Sequence, residues 1–213
     1  MNYTEFKNKF KNLPLIEACD IVLLEKDKQV FRNQLNRWQA KKLIIKLKRG
    51  FYVLNENDRK VTPSRFYIAN RLYGPSYISM ESALSFYGFI PEQVSALTSV
   101  TTKKTLRIRN DSGDFLYQHI KPETFRGFKA AKDNTGFDFF IAVPEKAIVD
   151  FLYLNLRKMM KAGQDIFSES FRFQNAESLS AKRILELAEL YNNKQLMRIA
   201  QIFCAFIKEE KQR

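Results

Sequence analysis

The sequence predicts an α+β fold in two parts: an N-terminal unit over residues 1–55 and a C-terminal α/β domain over residues 64–213, with a mostly antiparallel sheet and terminal helices. Three observations predict it. Residues 28–54 switch from a 3.6-residue to a two-residue apolar period within one stretch. Residues 95–142 hold β-branched and alternating runs separated by turn residues. Residues 178–208 return to the helical period. With 213 residues, 45% of them hydrophobic and 19 of them Phe, the chain can bury a sizeable core.

The chain opens with an amphipathic segment, residues 2–12, that sets Tyr3, Phe6 and Phe10 on one helix face. Pro14 ends it. Residues 15–25 predict a second helix with Ile16, Cys19 and Leu23 together. Then comes the most distinctive stretch, Lys28 to Leu54, with eight Lys or Arg and no Asp or Glu. Phe31, Leu35 and Trp38 stand at i, i+4 and i+7, so they share a helix face. The opposite side carries Arg32, Asn33, Asn36, Arg37 and Lys41, and Asp27 is placed to cap the N-terminus. After Lys42 the period becomes two. Leu43, Ile45 and Leu47 alternate with Ile44, Lys46 and Lys48, and Gly50 turns the chain into Phe51-Tyr52-Val53-Leu54. Two strands about a glycine turn form a hairpin.

A charge run is most often a solvated helix face. Here the sign is single, Asn is interleaved with Arg, and the order is helix, helix, basic helix, basic hairpin. That is the order of a winged helix-turn-helix, whose third helix enters the major groove while the hairpin lies on adjacent backbone. Arg and Asn fork onto guanine and adenine edges. Arg32, Asn33, Asn36 and Arg37 are therefore the expected base readers. Lys41, Lys42, Lys46, Lys48 and Arg49 are the expected phosphate holders, with Tyr52 buttressing the wing. The net charge of +13 agrees. Residues 1–60 hold 14 basic and 7 acidic residues against 22 and 16 in the rest, so the excess is densest in the first part.

Residues 55–63 (NENDRKVTP) are polar and aperiodic and read as a linker. Residues 64–73 predict a helix stopped by Gly74-Pro75; Tyr77-Ile78 is extended, and Ser79 caps a helix that Gly88 ends. Strands are expected over 96–102, 106–109, 114–120, 125–130 and 137–143. Pro144 opens a helix running to about Lys161, apolar on most sides. Residues 178–192 and 194–208 are two amphipathic helices.

No active-site pattern emerges. The single histidine, His119, lies in a strand pattern with no strand-turn-helix nucleophile motif. The seven glycines never form a phosphate loop, and no metal-spaced cluster exists, so no cofactor is expected. Glu81, Glu145 and Asp150 read as helix-dipole compensation or ordinary polar contacts. An enzymatic alternative would need those three to converge in a cleft. Residues 103–109 (KKTLRIR) form a second acid-free basic patch, suited to DNA backbone, an acidic partner or water. Cys19 and Cys204 read as buried free thiols in a reducing compartment. No apolar run is long enough to span a bilayer and the N-terminus lacks a signal-peptide core, so a cytoplasmic protein without membrane partners is expected.

Several short segments occur in a telling order: Tyr77-Ile78-Ser79-Met80-Glu81-Ser82-Ala83-Leu84, Thr98-Ser99-Val100-Thr101 and Pro144-Glu145-Lys146-Ala147, after the run RWQAKKLIIKLKRGFYVL. Over roughly residues 10–160 the chain resembles the AbiEi-type antitoxins, regulators of abortive-infection type IV toxin–antitoxin systems. The resemblance implies a winged helix followed by an antitoxin domain. It implies a repressor that binds inverted repeats in its own operator. It also implies a nucleotidyltransferase-like toxin as partner, in phage defence. Regulators of this shape also occur without a toxin. A basic module that grips an acidic protein and never meets DNA is a further alternative.

Overall fold

The computed structural model describes residues 1–22, 28–91, 95–162, 167 and 173–210. Helix α1 (Tyr3–Phe10) is closed at its N-terminus by a reciprocal cap: Glu5 N donates to Asn2 Oδ1 at 2.9 Å, and Asn2 N donates to Glu5 Oε2 at 3.0 Å. Then follow β1 (Ile16–Glu17), α2 (Ala18–Val22), α3 (Lys28–Ala40), β2 (Ile44–Lys48) and β3 (Phe51–Leu54). The three strands form an antiparallel sheet in the order β1-β3-β2. Phe6, Phe10, Ile16, Ile21, Phe31, Leu35, Trp38, Ile44 and Leu54 make one core.

The helix expected from residue 15 begins only at Ala18. Ile16 pairs with Tyr52 and Glu17 with Phe51 in the sheet. Leu15 is buried in the large core and Ile16 in the small one, so the chain passes between the two cores here in extended form. Cys19 is exposed rather than buried, because α2 turns it outward; Cys204 is buried as expected. Leu23 and Asp27, the expected face member and cap, lie outside the described residues.

Residues 55–63 are not a slack linker. Tyr3 Oη donates to Asp58 Oδ2 at 2.6 Å and Lys7 Nζ to Asp58 Oδ1 at 2.7 Å. Lys60 N donates to Lys11 O at 2.8 Å. The Lys7 ammonium and the Tyr3 hydroxyl hold the Asp58 carboxyl below its usual range.

The larger part contains α4 (Arg65–Leu72), β4 (Ser76–Ile78), α5 (Met80–Phe86), β5 (Ala96–Thr101), β6 (Leu106–Asn110), β7 (Gly113–His119), β8 (Phe128–Lys132), β9 (Asp138–Ala142), α6 (Pro144–Leu154), α7 (Leu156–Ala162), α8 (Ala181–Glu189) and α9 (Lys194–Glu210). Its sheet runs β6-β7-β5-β4-β9-β8. The sheet is mixed: β4–β5, β6–β7 and β8–β9 are antiparallel, as the expected mostly antiparallel sheet requires, while β5–β7 and β4–β9 are parallel. β5 and β7 run parallel because β6 takes the outer edge, so that β7 returns beside β5 in the same direction. The long helix expected from Pro144 breaks at Asn155, whose Nδ2 donates to Phe151 O at 3.0 Å. Before the break, every residue of α6 from Lys146 to Leu152 is buried.

The β2–β3 hairpin is the shared wall. Ile44 and Leu54 face the small core, whereas Leu47 and Val53 join the large one. Two hydrogen bonds pin it, Lys48 Nζ to Leu72 O at 3.0 Å and Asn110 Nδ2 to Leu47 O at 3.0 Å, and an ion pair of Arg71 with Glu17 ties down the adjacent β1.

Candidate nucleic-acid interface

The apolar face of α3 is anchored by rings. Trp38 lies 4.8 Å from Phe6, 6.0 Å from Phe31 and 5.6 Å from Tyr3 between centroids. With Phe31, Leu35 and Trp38 turned inward, the opposite face points to water. Arg32, Asn33, Asn36 and Arg37 are all exposed on it. Neither arginine forms an ion pair among the described residues, and Asn33 meets only Gln29, at a long 3.5 Å. These four head groups are free to meet a ligand.

The helix exit adds two more cations. Leu43 N donates to Trp38 O and Lys42 N to Gln39 O, both at 2.9 Å, which is the Schellman closure of a helix C-terminus. The residue that completes it, Lys42, has φ +54°, where glycine is the usual occupant. A lysine held in a left-handed turn costs roughly 1–2 kcal/mol. Lys42→Gly is therefore expected to raise stability by about 1 kcal/mol in a urea melt while weakening duplex binding. A fall in stability would overturn the strain argument, and unchanged duplex binding would overturn the phosphate role.

On the hairpin, Lys46 is exposed and pairs with Tyr52. Lys46 follows Ile44 by two residues, so it continues the α3 side of the hairpin. Tyr52 packs its ring against the small core and supports that side. Arg49 is exposed in the turn with Gly50, whose φ is +84° and whose carbonyl accepts from Ala18 N at 2.8 Å. Lys48 is placed differently from the rest. Its ammonium donates to Leu72 O and lies 5.8 Å and 5.3 Å from the Phe51 and Tyr73 rings. It caps the C-terminus of α4 instead of facing outward with Lys41, Lys42, Lys46 and Arg49.

The second basic patch is acid-free only in sequence. Asp114 sits across the β6–β7 ladder from Arg109 and takes the Arg107 guanidinium Nε at 3.0 and 3.1 Å. Arg107 holds the Asp114 carboxyl below its usual range. Lys103 donates to Gly74 O and lies over the Tyr73 ring. Between this strand and β2 runs a groove of about 620 Å³, with Lys42 and Lys46 on one wall and Arg109 on the other.

A buried polar cluster lies elsewhere, and the sequence reading did not assemble it. Asp150 accepts from Tyr77 Oη at 2.9 Å, Ser79 Oγ at 2.7 Å, Lys146 Nζ at 2.6 Å and Tyr191 Oη. Lys146 Nζ also donates to Tyr191 Oη at 2.6 Å. Ser79 stands at the N-cap of α5 but spends its hydroxyl on Asp150, so it makes no side-chain cap. Burial and the Asp150 carboxylate push the Tyr77 and Tyr191 phenols well above their ordinary range. The signal was present as Lys146 and Asp150 at i, i+4 on an otherwise apolar helix.

The three carboxylates of the enzymatic alternative keep separate company. Glu145 meets Ser180 N and Arg183, while Asp150 meets the cluster just described. Burial raises the Glu81 carboxyl, and its buried Oε2 has no hydrogen-bond partner among the described residues. His119 is exposed, its Nδ1 at 3.0 Å from Lys103 O. Among the described residues no group of three His, Cys, Asp or Glu could hold a metal ion, and no helix is long and apolar enough to cross a membrane. No protein-family model matches the chain, and comparison with curated proteins returns no match.

Proposed function

We propose that this chain is a winged-helix DNA-binding repressor of its own operon that also serves as the antitoxin to a nucleotidyltransferase-like toxin. The observation that carries the DNA half is the face of α3, where Arg32, Asn33, Asn36 and Arg37 stand exposed and opposite a locked aromatic anchor. The order helix, strand, two helices, hairpin, with β1 joining β3, supports a winged-helix reading. In that reading α3 enters the major groove, Lys41, Lys42 and Lys46 hold phosphates beside it, and Arg49 extends the contact. Lys48 instead fixes the wing to the body and orients it.

The antitoxin half rests on the resemblance of residues 77–84, 98–101 and 144–147 to the AbiEi type. A gel shift with the duplex upstream of the gene tests the first half; a shift no stronger than with unrelated duplex would remove it. Co-expression with the product of the adjacent gene tests the second. Growth arrest by that product, relieved by this chain, is the expected outcome.

A further inference from the structure

We propose that the groove between β2 and the β6–β7 turn is a binding site for a nucleoside triphosphate. Its volume, about 620 Å³, falls within the roughly 300–1,000 Å³ of small-molecule sites. Two bodies build it: Gln39, Lys42 and Lys46 from the N-terminal unit, and Arg109, Asn110 and Asp111 from the larger part. The walls are fixed to each other. Asn110 Nδ2 donates to Leu47 O at 3.0 Å, and its Oδ1 accepts from Ser112 N at 2.8 Å, so this side chain is a brace rather than a ligand group. A site whose walls are already set spends little free energy on ordering when a ligand enters.

The charges are suited to a triphosphate. Lys42 and Lys46 make no hydrogen bond or ion pair with another side chain among the described residues. Arg109 touches Asp114 only through Nε, at 3.3 Å, with its side chain 70% exposed. Three ammonium or guanidinium groups thus border the groove from both walls. Ile45, half-buried, supplies apolar lining against which a sugar or base can rest.

Asp111 distinguishes a nucleotide from a bare run of phosphates. A carboxylate repels a sugar–phosphate strand, but it accepts hydrogen bonds from ribose hydroxyls or an exocyclic amine. Gln39, exposed at the end of α3 on the other wall, offers both a donor and an acceptor. The site therefore presents phosphate-binding cations together with two groups that suit the rest of a nucleotide. Because Lys42 and Lys46 also belong to the proposed duplex face, nucleotide and DNA would exclude each other there; this corollary rests on the repressor reading, whereas nucleotide binding does not.

The test is calorimetric titration of the full chain, without DNA, using ATP, GTP and inorganic tripolyphosphate. Saturable binding of a nucleotide is expected, weakened about tenfold or more by Arg109→Ala, which removes a charged hydrogen-bonding group. Asp111→Ala is expected to weaken the nucleotide and to leave tripolyphosphate unchanged or tighter. Absence of saturable binding for either nucleotide would overturn the proposal. So would tripolyphosphate binding as tightly as ATP with Asp111→Ala acting alike on both, which marks a plain phosphate track. The repressor reading is untouched by either failure, since no duplex enters the experiment.

Discussion

Asp150→Ala is expected to destabilise the protein by about 3–5 kcal/mol, the usual cost of leaving half of a buried ion pair. The side chains of Lys146 and Asp150 are 1% and 0% exposed, so water cannot replace the missing partner. The substitution strips the Lys146 ammonium of its carboxylate, leaving the Tyr191 hydroxyl beside it. It also orphans the Tyr77 and Ser79 hydroxyls, which sets the loss toward the upper end of that range. Against a typical total stability of about 5–15 kcal/mol this is a large fraction. A urea melt measures it directly. The double variant Lys146→Met with Asp150→Leu removes both charges and is expected to recover part of the loss, because hydrophobic replacement of a buried pair is often neutral or better. A single variant that melts with the wild type would show that the cluster contributes little.

Arg37→Ala is expected to weaken binding to the specific operator by roughly 1–3 kcal/mol and binding to unrelated duplex by much less. Arg37 is exposed on α3, one residue before the buried Trp38, so its position on the rod is fixed by packing that the substitution does not touch. Loss of one guanidinium that only holds phosphate would weaken both duplexes alike. Paired competition assays on the two duplexes separate these cases, and equal losses would take Arg37 out of base readout. Stability should stay within about 0.5 kcal/mol, as for most surface substitutions.

The parts of the fold that repeat locally were legible. Phe31, Leu35 and Trp38 announce the buried face of α3 by spacing alone, and the exposed face follows from it. The alternation after Lys42 announces the hairpin, and Gly50 its turn. What depends on distant partners was not legible. Residues 15–17 are too few to display a period, and Ile16 becomes a strand only because Tyr52 stands opposite. The parallel pairing of β5 with β7 depends on which strand takes the edge, a choice no local pattern records. Lys48 reads like its neighbours Lys46 and Arg49, yet the Leu72 carbonyl and the Tyr73 ring claim it. Asp114 is likewise invisible to a search for acids within residues 103–109, because it arrives from the next strand. The Asp150 cluster gathers Tyr77, Ser79, Lys146 and Tyr191 from four separate elements or junctions, and only the Lys146–Asp150 spacing hinted at it.

The most direct test of the central claim is the salt dependence of binding to the upstream duplex. If α3 and the hairpin straddle DNA and neutralise about five phosphates, log K should fall linearly with log salt at a slope near −4 to −5. A slope near zero, or no binding at low salt, would contradict the assignment of Arg32, Arg37, Lys41, Lys42, Lys46 and Arg49 to a duplex.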